Sequence, residues 1–363
     1  MFYIACFIFG FTILQLLVVL ANVIFEPKLP KGHLKENILI SVLIPARNEE
    51  DNIGNVLNDL ITQDYRNIEV IIFNDQSTDQ TTEIVRKYIS LDSRIHLIES
   101  TGLPAGWLGK NYACHSLSEY AKGEYFLFID ADVRMSGDII MSAVAYAKRY
   151  QLSLLSIFPQ QIIKSMGEKA TVPNMNYILL SLLPLILVRK SKKPSFAAAN
   201  GQFMLLSAEI YKSLTPHKKM RDNKVEDIAI ARYFKENQLN VACLVGNETI
   251  KCRMYTNFND AVKGFSKNVV AFFGNSFAMA VLFWITITFG FVAIFLAFPV
   301  SIFLFYIFIY LFIRFFISRI SHQSMFDNLF FLIPQLLSCG LFIYNAFLNK
   351  FIKEYEWKGR SIH

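Results

Sequence analysis

The chain has 363 residues, 53 % hydrophobic and 18 % charged, with 36 Lys and Arg against 29 Asp and Glu for a formal charge of +7. That is too apolar for an ordinary soluble enzyme and too charged for membrane spans alone, so a water-facing domain joined to membrane segments is expected. The five cysteines include no C-x-x-C pair and the six histidines form no cluster, which argues against a zinc site or a disulfide framework.

In chain order, Phe2 to Phe25 carries no charge and is long enough to cross a hydrocarbon core of ~30 Å. Lacking a basic leader and a small-residue cleavage site, residues 1–25 read as a retained transmembrane anchor. Residues 26–275 have mixed composition and the size of a domain. ILISVLIP (38–45) is a continuous apolar run of the kind buried in a parallel sheet, broken by ARNEED. Ile53, Val56, Leu57, Leu60 and Ile61 then recur on one helical face. EVIIFND predicts a second strand ending at Asp75, and Ser77 to Gln80 a capping-box start for the next helix. RIHLIE (94–99) predicts a third strand, followed by the loop TGLPAGWLGKN and a helix from about Tyr112 to Ala121. EYFLFIDAD predicts a fourth strand, Ser136 a helix cap, and LSLLSIF (152–158) a fifth strand. Strands alternating with helices predict an α/β fold with a mainly parallel sheet.

YILLSLLPLILV, edged by Arg189, Lys190, Lys192 and Lys193, predicts an interfacial segment over 177–193, with a buried core helix as the plainer alternative. Ser276 to Ile313 is uncharged, with room for two spans folded at Pro299, and Leu329 to Leu348 adds about one span's length. Residues 276–348 are therefore expected to hold two to three membrane segments, followed by a basic tail, 349–363. Lys28, Lys31 and Lys35 on one flank, and Lys263 and Lys267 on the other, put the domain in the cytoplasm of a multi-pass cell-membrane protein. Three further crossings would leave Lys350, Lys353, Lys358 and Arg360 outside, against the same rule. A re-entrant or interfacial course for the block containing Pro334 and Gly340 is the alternative.

Parallel sheets bind ligands beyond the carboxyl ends of their strands. Arg47 and Glu49, Asp75, and Asp130 with Asp132 fall just past three strand ends. Each alone reads as an ordinary turn residue; their joint placement on one edge does not. No G-x-G-x-x-G follows the first strand and no G-x-x-x-x-G-K-[ST] is present, which disfavours a dinucleotide site and excludes a P-loop. Asp130 and Asp132 leave one strand together and repel each other unless a cation intervenes. Mg²⁺ or Mn²⁺, which takes one or two carboxylates plus phosphate oxygens, suits the pair. The chemistry this serves is departure of a diphosphate from a sugar, with Lys110 as a second positive charge. Glu226 and Asp227 open the helix KVEDIAIARYFKEN, where acids favour the helix dipole and one can also serve as a base.

IPARNEE, FNDQSTDQT, GLPAGWLGKNYAC, FLFIDADV and VEDIAIA, in that order, resemble the membrane-bound glycosyltransferases of family 2 with the GT-A fold. GWLGKNYAC, KCRMY and GFSKN most resemble the hopanoid-associated and carotenoid branches, and the resemblance runs along nearly the whole chain. It implies that Pro45, Arg47 and Glu49 line the nucleotide pocket, that Asp75 bonds the uracil and that Lys110 approaches the uridine or its phosphates. It implies Asp130 and Asp132 as the metal–diphosphate motif and Asp227 as catalytic base, supported by Glu226. The implied reaction is inverting transfer of a hexose, glucose first, from UDP-sugar with a divalent cation to a membrane-embedded apolar acceptor such as a carotenoid carboxylic acid. Processive members carry Q-x-x-R-W after the acidic pair; here AVKGFSKN stands there, with Lys267 in the arginine's place, which implies a single sugar transfer. Trp357-Lys358-Gly359-Arg360 in the tail is a candidate for an analogous role. A polyprenyl phosphate or hopanoid acceptor, and a nucleotide-sugar-sensing scaffold without chemistry, are the alternatives. Nucleic acid is not an expected partner.

Overall fold

A computed structural model describes residues 1–352, 355–357 and 360–362. Helix α1 (Phe2–Phe25) leads into β1 (Ile40–Ala46), α2 (Ile53–Ile61), β2 (Ile68–Asn74), α3 (Thr81–Leu91), β3 (Ile95–Glu99) and α4 (Gly109–Tyr120). Next come β4 (Tyr125–Ile129), β5 (Val133–Met135), α5 (Ile139–Arg149), β6 (Leu154–Phe158) and β7 (Gln160–Gln161). The middle of the chain forms α6 (Met166–Thr171), α7 (Pro173–Leu182), α8 (Leu185–Lys190), β8 (Phe203–Ser207), α9 (Ala208–Leu214) and α10 (Pro216–Lys219). α11 (Glu226–Glu236), β9 (Val241–Val245), β10 (Ile250–Cys252) and α12 (Phe258–Asn268) complete the domain. The helices α13 (Phe277–Ala297), α14 (Val300–Ile320), α15 (Met325–Phe330) and α16 (Leu332–Ile352) follow.

The main sheet has seven strands in the order β3-β2-β1-β4-β8-β6-β9, and only β8 runs antiparallel to its neighbours. Successive side chains of a strand point to opposite faces. On β1, Ile40, Val42 and Ile44 therefore join α2, α3 and α5 in one core layer, while Leu43 joins α4 and α11 in the other. Burial on both faces is why the strand is apolar except at Ser41, whose buried hydroxyl donates to Glu69. A small sheet, β5-β10-β7, stands against the carboxyl end of β4.

The second core layer does not stop at the domain. It continues through Tyr177 and Leu180 of α7 into Val19 of α1, Phe283 of α13 and Ile313 of α14. Asn22, buried in α1, ties this joint: its amide donates to the Leu180 and Leu183 carbonyls, and its oxygen accepts from the Leu185 N–H. Arg314 in α14 lies over the Tyr177 ring and donates to Gln335 of α16. α1, α13, α14 and α16 are each long and apolar enough to cross a membrane.

Several local expectations change. The apolar stretch 177–193 is no free interfacial surface: α7 and α8 break at Pro184, and Tyr177, Leu180, Leu185 and Val188 are buried between α1 and the sheet. Ser77 does not cap α3, which starts at Thr81; its hydroxyl accepts from the Asn48 N–H. Ser136 does not cap α5, whose N-cap is Asp138. α4 starts at Gly109, three residues before the predicted Tyr112, so Lys110 sits in a helical first turn and not in a loop. Within the tail, Lys353, Lys358 and Gly359 lie outside the described residues, as do the side chains of Trp357 and Arg360.

Candidate active site

The sheet edge where β1, β2 and β4 end carries the predicted residues, and local bonding fixes each one. Past β1, Asn48 takes a left-handed conformation (φ 51°), and its side-chain oxygen accepts from Thr78 N–H. The Arg47 guanidinium donates to the Asp75 carbonyl at 2.5 Å, clamping the ends of β1 and β2 together. Past β4, the chain turns sharply through Asp130, Ala131 and Asp132 into β5, held by Val133 N–H donating to the Asp130 carbonyl.

Lys110 reaches this turn from α4. Its ammonium lies 2.7 Å from Asp130 Oδ1 and 3.4 Å from Glu226 Oε1. Burial disfavours the charged lysine, but Asp130 and Glu226 outweigh it and hold its pKa well above the usual value. The start of α4 is anchored by Asn111, whose amide donates to the Met220 and Asn223 carbonyls. The basic run Lys218 to Lys224 is thereby fastened beside the site.

Asp132 is the strained member of the pair. Its Oδ1 is buried and accepts no hydrogen bond. Burial, followed by the charges of Asp130 and Glu49, pushes its carboxyl up, well out of the ordinary range. An orphaned buried carboxylate oxygen beside a second carboxylate fits a divalent cation. Among the described residues no group of three or more His, Cys, Asp or Glu converges on one point. Two carboxylates alone do not close a shell, so a cation there would need phosphate oxygens and water to complete it.

Glu226 and Asp227 open α11 opposite the pair. Asp227 Oδ2 accepts from the Gly201 N–H at 2.9 Å and its Oδ1 from the Ile228 N–H at 2.7 Å, which fixes the carboxylate in one orientation. Burial first, then the Glu226 charge, raises its pKa. Gly201 packs closely on the cluster: a Cβ there would lie 3.0 Å from Lys110 Nζ and 3.3 Å from Glu226 Oε1, so both side-chain ends would have to shift by a few tenths of an ångström.

Two cavities meet at this cluster. One, of about 470 Å³, is lined by Pro45, Glu49, Lys110, Asp130, Asp132 and Tyr255. The other, of about 350 Å³, shares Lys110, Asp130, Asp132 and Tyr255 with it and adds Glu226 and Asp227. Its lining mixes apolar side chains, Phe158, Met175, Ile228, Phe265 and Phe272, with polar ones that include Lys224 and Lys267. Of the predicted residues, Arg47 and Asp75 line neither cavity. Tyr255 and Gly201 had been given no role in the sequence. Tyr255 lies in KCRMY and crosses α12 at Gly264, where a Cβ would fall 2.0 Å from its hydroxyl.

A mainly parallel sheet with acidic residues and a lysine gathered at its carboxyl edge defines a GT-A-like nucleotide-sugar domain. Residues 41–215 match the family described as Glycosyl transferase family 2. A mannosyltransferase from Pyrobaculum calidifontis, solved with GDP-Man and Mn²⁺, shares the fold at a TM-score of 0.53 and 14 % identity, over 94 % of this chain and 99 % of its own. Among curated proteins the chain is similar to the 4,4'-diaponeurosporenoate glycosyltransferase of Staphylococcus haemolyticus (strain JCSC1435), 28 % identical over 63 % of this chain. The protein of the same name from Staphylococcus aureus (strain USA300) is 27 % identical over 63 % of the chain. The match spans 60 % of the length of each of these relatives.

Proposed function

We propose that the protein is an inverting, non-processive glycosyltransferase that moves a hexose from UDP-sugar to an apolar acceptor held in the membrane. A carotenoid carboxylic acid is the acceptor that the names of its relatives support best, and UDP-glucose the donor. The observation that carries this reading is the shared wall of the two cavities, where Lys110, Asp130 and Asp132 stand between a chamber lined by Pro45 and Glu49 and one that sets Glu226 and Asp227 beside Phe158, Met175 and Phe265.

The chamber with Pro45 and Glu49 takes the nucleotide, and the edge where Arg47 grips Asp75 borders the base. Asp130 and Asp132 would hold Mg²⁺ or Mn²⁺, which when bound neutralises charge on the diphosphate. Lys110 adds a second cation beside the leaving group. The acceptor enters on the side of Phe158, Met175 and Phe265, and its oxygen attacks the anomeric carbon from the face opposite the diphosphate. The C–O bond to the diphosphate breaks as the new one forms, UDP leaves with the electron pair, and the configuration inverts. A hydroxyl acceptor gives its proton to Asp227, oriented by Gly201 and Ile228. A carboxylate acceptor has none to give.

We read α1, α13 and α14 as spans, with the catalytic domain on the cytoplasmic side where Lys28, Lys31, Lys35 and Lys263 cluster. The test incubates the purified chain with radiolabelled UDP-glucose, Mn²⁺ or Mg²⁺, and a total lipid extract spiked with an apolar carotenoid acid. The expected outcome is a labelled glucosyl ester, cleaved by mild alkali. Label appearing only in polyprenyl phosphate, or UDP release with no labelled lipid at all, would overturn the reading.

A further inference from the structure

We infer that α15 and α16 do not cross the membrane but lie along the leaflet on the side of the catalytic domain, with one face among the acyl chains. The inference rests on α13 and α14 being spans, as proposed above.

Both ends of α16 touch elements at the domain side. At its start, Gln335 donates to the Lys169 carbonyl of α6 and Ser338 to the Ala170 carbonyl. Just before it, Asp327 of α15 pairs with Lys169 at 2.9 Å. Near its end, the ring of Phe347 meets that of Phe277, and the Lys350 ammonium lies over the same ring. Phe277 is the first residue of α13, where the chain leaves the domain. Between the ends, Phe342 packs on Phe265 of α12. A crossing helix would instead bring its last turn to the far end of the bundle. That end is marked by Phe298, between α13 and α14, which meets Phe2 and Phe9 of α1.

The two faces of α16 agree. Gln335, Leu336, Ser338, Cys339, Phe342 and Ala346 are buried against protein. Ile333, Leu337, Tyr344 and Phe347 share the opposite face, at positions i, i+4, i+11 and i+14, and Leu337 is 57 % exposed. Phe326 and Phe330 of α15 extend the exposed apolar band, at 75 % and 71 %. An apolar stripe of this kind, ending at Lys350, fits the boundary between headgroups and acyl chains. The same course keeps Lys350 and the basic residues after it on the side of Lys28 and Lys263, as the distribution of positive charge requires. Because α16 packs on α12, which lines the acceptor chamber through Phe265 and Lys267, the leaflet then lies beside that chamber.

The test uses the full chain in a Cys6→Ser background, whose remaining cysteines are buried. A cysteine at exposed Glu248 marks the domain, and one appended after His363 marks the tail. An impermeant maleimide is expected to label both in the same vesicle orientation; labelling in opposite orientations would overturn the inference. Nitroxides placed through Ile333→Cys and Tyr344→Cys measure depth. A crossing helix separates them by about 16 Å at ~1.5 Å per residue, whereas an in-plane helix leaves less than half of that. A separation near the full value would sink the proposal independently of enzyme activity. Extraction of the chain by alkaline carbonate would sink it together with the reading of α13 and α14 as spans.

Discussion

At Gly201 the site is built by what is missing. The carboxylates and the lysine are legible in the sequence because charged groups are expensive to bury without a purpose. Gly201 and Tyr255 enter through close packing, and packing leaves no compositional trace. A methyl group at Gly201 would press on both Lys110 and Glu226. Gly201→Ala is therefore expected to lower kcat/KM by roughly 10- to 100-fold, the scale of a small misplacement in a preorganised site, while thermal unfolding barely moves. Asp132→Asn removes one carboxylate charge from the pair. Activity should fall by about 10²-fold or more, with the half-saturating Mn²⁺ concentration rising in a UDP-release assay. Asp227 separates the acceptor classes. Its carboxyl is pushed up to about 7, so it is protonated below that pH and cannot take a proton there. Transfer to a hydroxyl acceptor should drop about tenfold per pH unit below 7. With Mn²⁺ saturating, so that Asp132 stays ionised, transfer to a carboxylic acid, ionised above its reference pKa of ~4, should stay level between pH 6 and 8. A profile for the acid acceptor that falls as steeply as the hydroxyl profile would count against a pure proton-accepting role for Asp227.

Elements were legible where length and periodicity agree. The first four strands and α2 stand close to their predicted places because each apolar run is bounded by a turn and followed by a helical stripe. FMLLS and VACLV, which form β8 and β9, are runs of five residues that local pattern does not separate from buried helix. Their pairing with β4 and β6 decides them. α7 and α8 went the other way: an apolar stretch with a basic edge looks interfacial until α1 is seen to cover it. Asn22 makes that cover specific, since it serves two carbonyls and one N–H at the break between α7 and α8. Asn22→Ala would leave these buried groups short of partners, at about 1–3 kcal/mol each. The expected result is a clear loss of stability in a detergent unfolding titration, with transfer to lipid falling before binding of UDP.

At the scale of the whole molecule, composition divides the chain into a domain and its anchors, whereas packing joins them. The division is real along the sequence, because residues 26–275 contain every strand of the main sheet. It fails in space because one core layer runs from Leu43 of β1 through Tyr177 of α7 to Phe283 of α13 and Ile313 of α14. The helices α6, α7 and α12 bury on α1, α13 and α16 the apolar side chains that an independent domain would have to cover with polar ones. Cutting the chain at Glu26 and Ser276 would thus expose Tyr177, Leu180, Val262 and Phe265 to water. At ~25 cal/mol per Å² of apolar surface, four side chains of this size cost about 6–12 kcal/mol, comparable to the whole margin of about 5–15 kcal/mol by which domains are stable. The fragment 26–276 is expected to aggregate in aqueous buffer, which size-exclusion chromatography reads directly. Detergent should rescue its UDP binding, because micelles replace the lost cover, but not transfer to a bilayer-bound acceptor, which needs the anchors to bring the acceptor chamber to the membrane. A monodisperse, active fragment without detergent would mean that the domain holds its own core and that the shared layer is mere contact.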